Sequence, residues 1–98
     1  MLLFEWDKEK AKRNIKIHRV SFDEASVAFA DPLSLTVHDP LHSDKESRFV
    51  LIGSSYKSHV LLVVHTERKN KIRIISARKA NKNERKQYEE NAKRSRNA

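Results

Sequence analysis

Five residues in the second half of the chain combine proton-transfer chemistry with cation chemistry: His65, Glu67, Arg68, Arg73 and Arg78. An imidazole titrates near neutrality, a nearby carboxylate can take or give a proton, and guanidinium forks match phosphate oxygens two at a time. Whether they form one site depends on the elements that carry them.

The apolar run Leu61, Leu62, Val63, Val64 leads into His65 to Arg68, and after Lys69 and Asn70 the chain resumes as Lys71, Ile72, Arg73, Ile74, Ile75. This pattern predicts two strands joined by a tight turn. A three-residue loop of Arg68, Lys69 and Asn70, with Asn70 left-handed, would pair Glu67 with Lys71 and His65 with Arg73. Leu62, Val64, Ile72 and Ile74 would then share one face. His65, Glu67, Lys71 and Arg73 would lie on the other, above Leu61, Val63 and Ile75. A two-residue loop of Lys69 and Asn70 shifts the register by one and mixes charged with apolar side chains on both faces, so the segregated register is the expectation. Arg78 has the parity of Ile74 in that register and reaches the others only near the strand's end or through a bulge.

The remaining elements follow from shorter signals. Leu2 to Trp6 is an apolar start that suits a strand, and Asp7 can cap a helix running to about His18, with Ala11 and Ile15 four apart on one face. Ser21 and Glu24 have the spacing of a capping box, with Val20 placed to staple against Ala25, so a second helix starts there. It ends at Asp31 and Pro32, because the residue before a proline avoids helical geometry. Leu33, Leu35 and Val37 alternate with polar residues as in a half-buried strand closed by Asp39 and Pro40. Leu41 to Ser47 reads as loop, Arg48 to Ser54 as strand, and Ser54 to Ser58 as a turn. Asn81, with Glu84 three positions on, caps a last helix whose inner half, to about Tyr88, can dock on the sheet. The cationic end from Asn91 to Ala98 is expected to be a frayed basic tail. The expected architecture is α+β: an N-terminal strand and two helices packed on an antiparallel sheet, then a C-terminal helix.

Ninety-eight residues suit one domain spanning 1–98. The net charge of +8 favours an anionic partner, whether nucleic acid, anionic membrane or acidic protein. No apolar run approaches the roughly 20 residues of a membrane span, and the start lacks a signal peptide's apolar region, so a soluble cytoplasmic chain without membrane contact is expected. The absence of cysteine excludes disulfides, thiolate zinc sites and a cysteine nucleophile. His38, Asp39, His42 and Asp44 could be taken for metal ligands. Pro40, however, keeps the two histidines off one regular helix face, and neither a metal nor a cofactor is expected. Trp6 suits a core or edge anchor better than a base-stacking platform. The basic run Lys79, Lys82, Arg85, Lys86, Lys93, Arg94 and Arg96 is by default a solvated helix face.

Several blocks, in this order and spacing, resemble the BrnT ribonuclease toxins of bacterial type II toxin–antitoxin systems. They are FEWD at 4–7, VSFDEA at 20–25, DP at 31–32, HSD at 42–44, RFVLIG at 48–53, VVHTER at 63–68 and RIISARKA at 73–80. The resemblance extends through Glu90. It departs at Arg19, where the family usually has glycine after the histidine, and at Tyr56 to His59, which replaces a glycine-containing turn. The resemblance implies a compact RelE-like fold and metal-free cleavage of RNA. It also implies a BrnA-type antitoxin with a ribbon-helix-helix DNA-binding part, through which alone the pair would contact operator DNA.

RNA supplies its own nucleophile, the 2′-hydroxyl. A metal-free ribonuclease therefore needs a base for that hydroxyl, an acid for the leaving oxygen, and cations for the phosphorane charge. His65 or Glu67 could serve as base or acid, and Arg68, Arg73 and Arg78 could hold phosphate. The same residues, without the resemblance, fit a solvated cross-strand polar pairing better. Three function classes stay open: an endoribonuclease, a non-catalytic basic nucleic-acid-binding module, and a protein-interaction or co-repressor subunit whose basic face meets an acidic partner, which the resemblance would make an antitoxin-binding module.

Overall fold

The computed structural model describes residues 2–39 and 47–96. Pro40, His42 and Asp44, and most of the loop expected before Arg48, lie outside the described residues. Strand β1 (Leu3–Glu5) is followed by α1 (Lys8–His18), α2 (Phe22–Val27) and one 3-10 turn (Ala28–Ala30). Then come β2 (Leu35–Asp39), β3 (Arg48–Ser54), β4 (Val60–Arg68), β5 (Lys71–Lys79) and α3 (Lys82–Arg96). The five strands form one sheet in the order β1-β5-β4-β3-β2. All neighbours are antiparallel except β1, which pairs parallel to β5. The class is the expected α+β, with a mixed rather than wholly antiparallel sheet.

The helix starts are local events. Asp7 Oδ1 accepts from the backbone N–H of Glu9 at 2.8 Å and of Lys10 at 3.1 Å, satisfying two donors that the first turn of α1 leaves free. Asn81 and Glu84 form a reciprocal box at α3, with Glu84 N donating to Asn81 Oδ1 at 2.8 Å and Asn81 N donating to Glu84 Oε1 at 2.9 Å. At α2 only half of the expected box exists. Ser21 Oγ accepts from Glu24 N at 3.0 Å, but the Glu24 carboxylate turns inward to other partners.

The core lies between the sheet and the first two helices. Val20, Phe22 and Ala25 pack on Leu61, Val63, Ile74 and Ala77, with Phe4, Trp6, Ala11 and Phe29 at its margin. Helix α1 docks through Ala11 and Asn14, while Ile15 stands largely in solvent. The buried Asn14 amide donates to the carbonyls of Val20 at 2.9 Å and Ala77 at 2.8 Å, and its oxygen accepts from Ala77 N at 3.2 Å. One side chain thus ties the helix pair to β5.

Helix α3 packs against β3 and β4. It continues past the Asn91 boundary expected from charge: Ala92 is buried, and the Asn91 amide donates to the Leu33 carbonyl at 3.3 Å. A second tie holds it. Asp31 accepts from Leu33 N at 2.9 Å, Ser54 N at 2.8 Å and the Tyr88 hydroxyl at 2.6 Å. Burial alone would raise the Asp31 carboxyl, but these donors outweigh it and hold it below the ordinary carboxylate range.

Candidate active site

The β4–β5 hairpin has a two-residue turn, with Arg68 opposite Lys71, Glu67 opposite Ile72, Thr66 opposite Arg73 and His65 opposite Ile74. The three-residue loop is therefore overturned, and the positive φ of 53° falls on Lys69 rather than Asn70. The expected segregation failed at the turn, because a loop of two residues rather than three sets every pairing from Arg68 to His65. A bulge follows: Val64 pairs with Ser76, so Ile75 is the extra residue. It reverses the parity of β5 halfway along, and Ile72, Ile74 and Ala77 can all face the core that an unbroken two-residue register would have denied to Ala77.

Directly opposed residues in an antiparallel pair share a face. His65 and Glu67 lie with Ile72 and Ile74 on the face beneath α1 and α2, while Arg73 lies with Thr66 on the other face. Arg78, opposite Leu62, is carried by the bulge onto the face of Arg73, and Arg68 shares it. The structure thus divides the five candidates into a histidine and glutamate on one side and three arginines on the other.

His65 is a core residue, 1% exposed. Its ring sits edge-on to Phe29 at 4.8 Å and stacked with Phe49 at 5.7 Å, in a row that continues to Phe4 on one side and His38 on the other. Nδ1 has no hydrogen-bond partner. Nε2 lies 4.0 Å from Glu67 Oε1, whose side chain is 59% exposed. Burial pushes the His65 pKa down, against the smaller opposing pulls of the Val63 backbone and the Glu67 charge, so the neutral ring dominates at pH 7.

On the opposite face a row crosses all five strands: Asp39, Arg48, Thr66, Arg73, Glu5. Arg73 donates to Glu5 at 3.1 Å, and the buried Thr66 hydroxyl is without a partner. Arg78 is committed elsewhere, donating to both Glu84 oxygens at 2.8 and 2.9 Å, which raises its own pKa and lowers that of Glu84. It fastens β5 to α3.

The two sides meet at the hairpin tip. A groove of about 440 Å³ is lined by Leu3, Glu5, Arg68, Lys69, Asn70 and Lys71. A second, of about 220 Å³, is lined by Leu2, Glu67, Lys69, Asn70, Lys71 and Ile72. An accessible carboxylate and three cations therefore share the tip, where proton transfer and phosphate binding can be combined around the edge of the sheet. Lys71, expected on one face with His65, Glu67 and Arg73, and Lys69, expected only in the loop, line both grooves, a placement that follows from the turn.

The described residues hold no cluster of histidine and carboxylate groups able to bind a metal. No helix is long and apolar enough to cross a membrane.

The family model for the BrnT ribonuclease toxin of type II toxin–antitoxin systems matches residues 6–84. The chain belongs to the BrnT family. The match spans the hairpin and all five candidate residues. The fold is also similar to the 1.1 Å crystal structure of the Brucella abortus ribonuclease toxin BrnT, with a TM-score of 0.61 at 19% identity, covering 84% of this chain and 100% of that one. Among curated proteins no sequence matches the chain. Within the BrnT family this chain places arginine at a C-cap: Arg19, after α1, has φ 59° and donates its N–H to Ile15 O at 2.9 Å. Glycine adopts that conformation without strain, which accounts physically for the glycine expected there.

Proposed function

We propose that this BrnT chain is an endoribonuclease that cleaves RNA without a metal at the tip of the β4–β5 hairpin. Glu67 takes the proton from the 2′-hydroxyl, the 2′-oxygen bonds to phosphorus, and the bond to the 5′-oxygen breaks as that oxygen takes a proton from solvent water at the exposed tip. The products are a 2′,3′-cyclic phosphate and a 5′-hydroxyl. Arg68, Lys71 and Arg73, which share the face opposite Glu67, hold the phosphate around the sheet edge and stabilise the charge on its oxygens. His65 stands behind Glu67 as a neutral, buried neighbour that positions it. Arg78 acts through the fold, holding β5 against α3.

The observation that carries this reading is the exposed Glu67 carboxylate sharing one hairpin tip with Arg68, Lys69 and Lys71 in a family of ribonuclease toxins. Membership also supports a partner. A BrnA-type antitoxin with a ribbon-helix-helix part neutralises the toxin, and the pair represses its operon through the antitoxin's DNA contact.

Purified protein incubated with end-labelled RNA in EDTA tests the chemistry. Fragments ending in 2′,3′-cyclic phosphate are expected, and RNA that stays intact while shifting on a native gel would leave only binding. Growth arrest on expression, relieved by co-expressing the adjacent gene, checks the partner.

A further inference from the structure

At the far end of β4 from the hairpin tip lies a second grouping of histidine, carboxylate and cations. Glu24 is 1% exposed, and its Oε2 accepts from Ser55 Oγ at 2.6 Å and contacts His59 Nδ1 at 3.0 Å. His59 stands in the β3–β4 turn, whose closure is set by Ser55 N donating to His59 O at 2.9 Å and Ser58 N donating to Ser55 O at 3.0 Å. With Nδ1 engaged by the buried carboxylate, Nε2 is the ring nitrogen left for a ligand, and the His59 side chain is 37% exposed. This is the carboxylate–histidine arrangement that fixes ring orientation and tautomer.

A cavity of about 160 Å³ adjoins it, lined by Ser58, His59, Val60, Lys79, Ala80 and Arg85. Lys79 comes from the end of β5 and Arg85 from the first turns of α3, brought together where Ala80 N donates to Val60 O at 2.8 Å. Neither cation forms an ion pair with another of the described residues. Three donors from three elements therefore converge on a space large enough for a tetrahedral anion, with the histidine pre-oriented.

We propose that His59, Lys79 and Arg85 bind a phosphate of the RNA strand, a contact separate from the cutting site at the hairpin tip. In its imidazolium form His59 gives Nδ1–H to Glu24 and Nε2–H to a phosphate oxygen, and the two cations donate to the remaining oxygens. The nine residues of β4 set the two sites roughly 27 Å apart, so one strand must cover several nucleotides to touch both. The assignment to RNA rests on the ribonuclease reading; the phosphate chemistry does not.

The test uses the full chain, inorganic phosphate and an all-deoxy oligonucleotide, which lacks the 2′-hydroxyl and cannot be cut. Phosphate is expected to shift the His59 ring signals in NMR, and the Lys79→Ala/Arg85→Ala double variant is expected to lose that shift. Oligonucleotide affinity in the double variant should fall roughly tenfold, with the slope of log K against log salt reduced by about 1.4 for two lost contacts on a single strand. His59→Asn, which keeps a polar partner for Glu24, should lose a smaller part of the affinity at an unchanged melting temperature. Unmoved His59 signals together with unchanged affinity and salt slope would overturn the proposal. A phosphate response without any change in oligonucleotide binding would overturn the assignment to RNA. If the wild type cuts no RNA yet the variants still weaken oligonucleotide binding, the phosphate site stands and the ribonuclease reading falls.

Discussion

Near each end of β4 a histidine meets a glutamate, and their burial is opposite. Toward the hairpin tip the histidine is inside and the glutamate outside: side-chain exposures are 2% for His65 and 59% for Glu67, at 4.0 Å. At the other end the order reverses, with 37% for His59 and 2% for Glu24, at 3.0 Å. The buried member sets what the pair can do. A buried imidazole between Phe29 and Phe49 favours its neutral form and leaves the exposed carboxylate as the member of the pair open to solvent. A buried carboxylate must instead be met by donors, here Ser55 and His59, and it leaves a fixed histidine facing outward.

The largest effect expected from this contrast is on chemistry at the tip. Glu67→Gln should lower the rate of RNA cleavage by roughly 10² to 10⁴, the usual contribution of a positioned acid or base, with the melting temperature unchanged. His65→Phe, which keeps a ring between the two phenylalanines, should retain far more activity than Glu67→Gln. Single-turnover rates would break the comparison if the order of the two variants were reversed.

The far end should respond in stability. Glu24→Ala removes the acceptor from the buried Ser55 hydroxyl and from His59, at a cost of about 2 kcal/mol, or roughly 10 °C in melting temperature for a domain this size. Glu67→Ala, on an exposed carboxylate, should fall within about 0.5 kcal/mol of wild type. Equal thermal shifts for the two glutamates would remove the distinction drawn from burial.

A third measurement sharpens the histidine side. The His65 pKa is lower in the folded chain than its ordinary value of 6.5, so near and below that pH the unfolded state binds more protons. Stability contributed by neutral His65 is therefore present above about pH 6.5 and falls as pH drops toward the folded value. In urea titrations from pH 7.5 to 5.5, wild type should lose stability relative to His65→Phe. Parallel curves would mean that the ring is not held neutral by burial. Asp31 and Glu84, both held below the ordinary carboxylate range, lose their contribution only in more acidic solution and do not confound that window.

How much of this could be read in the sequence follows the range of the interaction responsible. Asp7, Ser21 and Asn81 mark helix starts because a cap is made within three residues, and the β3 strand falls at Arg48–Ser54 as its apolar run indicates. The bulge at Ile75 is a demand of the whole core, since Ala77 must meet Val63 and Asn14. No local pattern announces it, and without it Arg78 would pair with Leu61 and share the face of His65, whereas the face of Arg73 is set by the two-residue turn alone. Glu24 misled for a related reason. Its spacing from Ser21 fits a local box, but its carboxylate is recruited by Ser55, far along the chain. The residue types of the candidate site were legible, and their division between two faces was not.

The smallest expected effect compares the two turns that bound β4. Each contains a non-glycine residue in the left-handed region, Lys69 at φ 53° in the hairpin tip and Ser58 at φ 59° in the β3–β4 turn. A side chain there costs roughly 1–2 kcal/mol, and glycine gives back roughly 0.5–1 through its greater freedom in the unfolded chain. Lys69→Gly and Ser58→Gly should therefore each raise stability by about 0.5 kcal/mol, seen as a rise of a few degrees in melting temperature. The two substitutions should part company in RNA affinity. Lys69→Gly also removes a cation that lines both grooves at the tip, so binding should weaken and its salt dependence should flatten, while Ser58→Gly removes no charge. If Lys69→Gly stabilised the chain and left RNA binding unchanged, lysine at that strained position would have no phosphate to explain it, and the tip would lose one of its three cations.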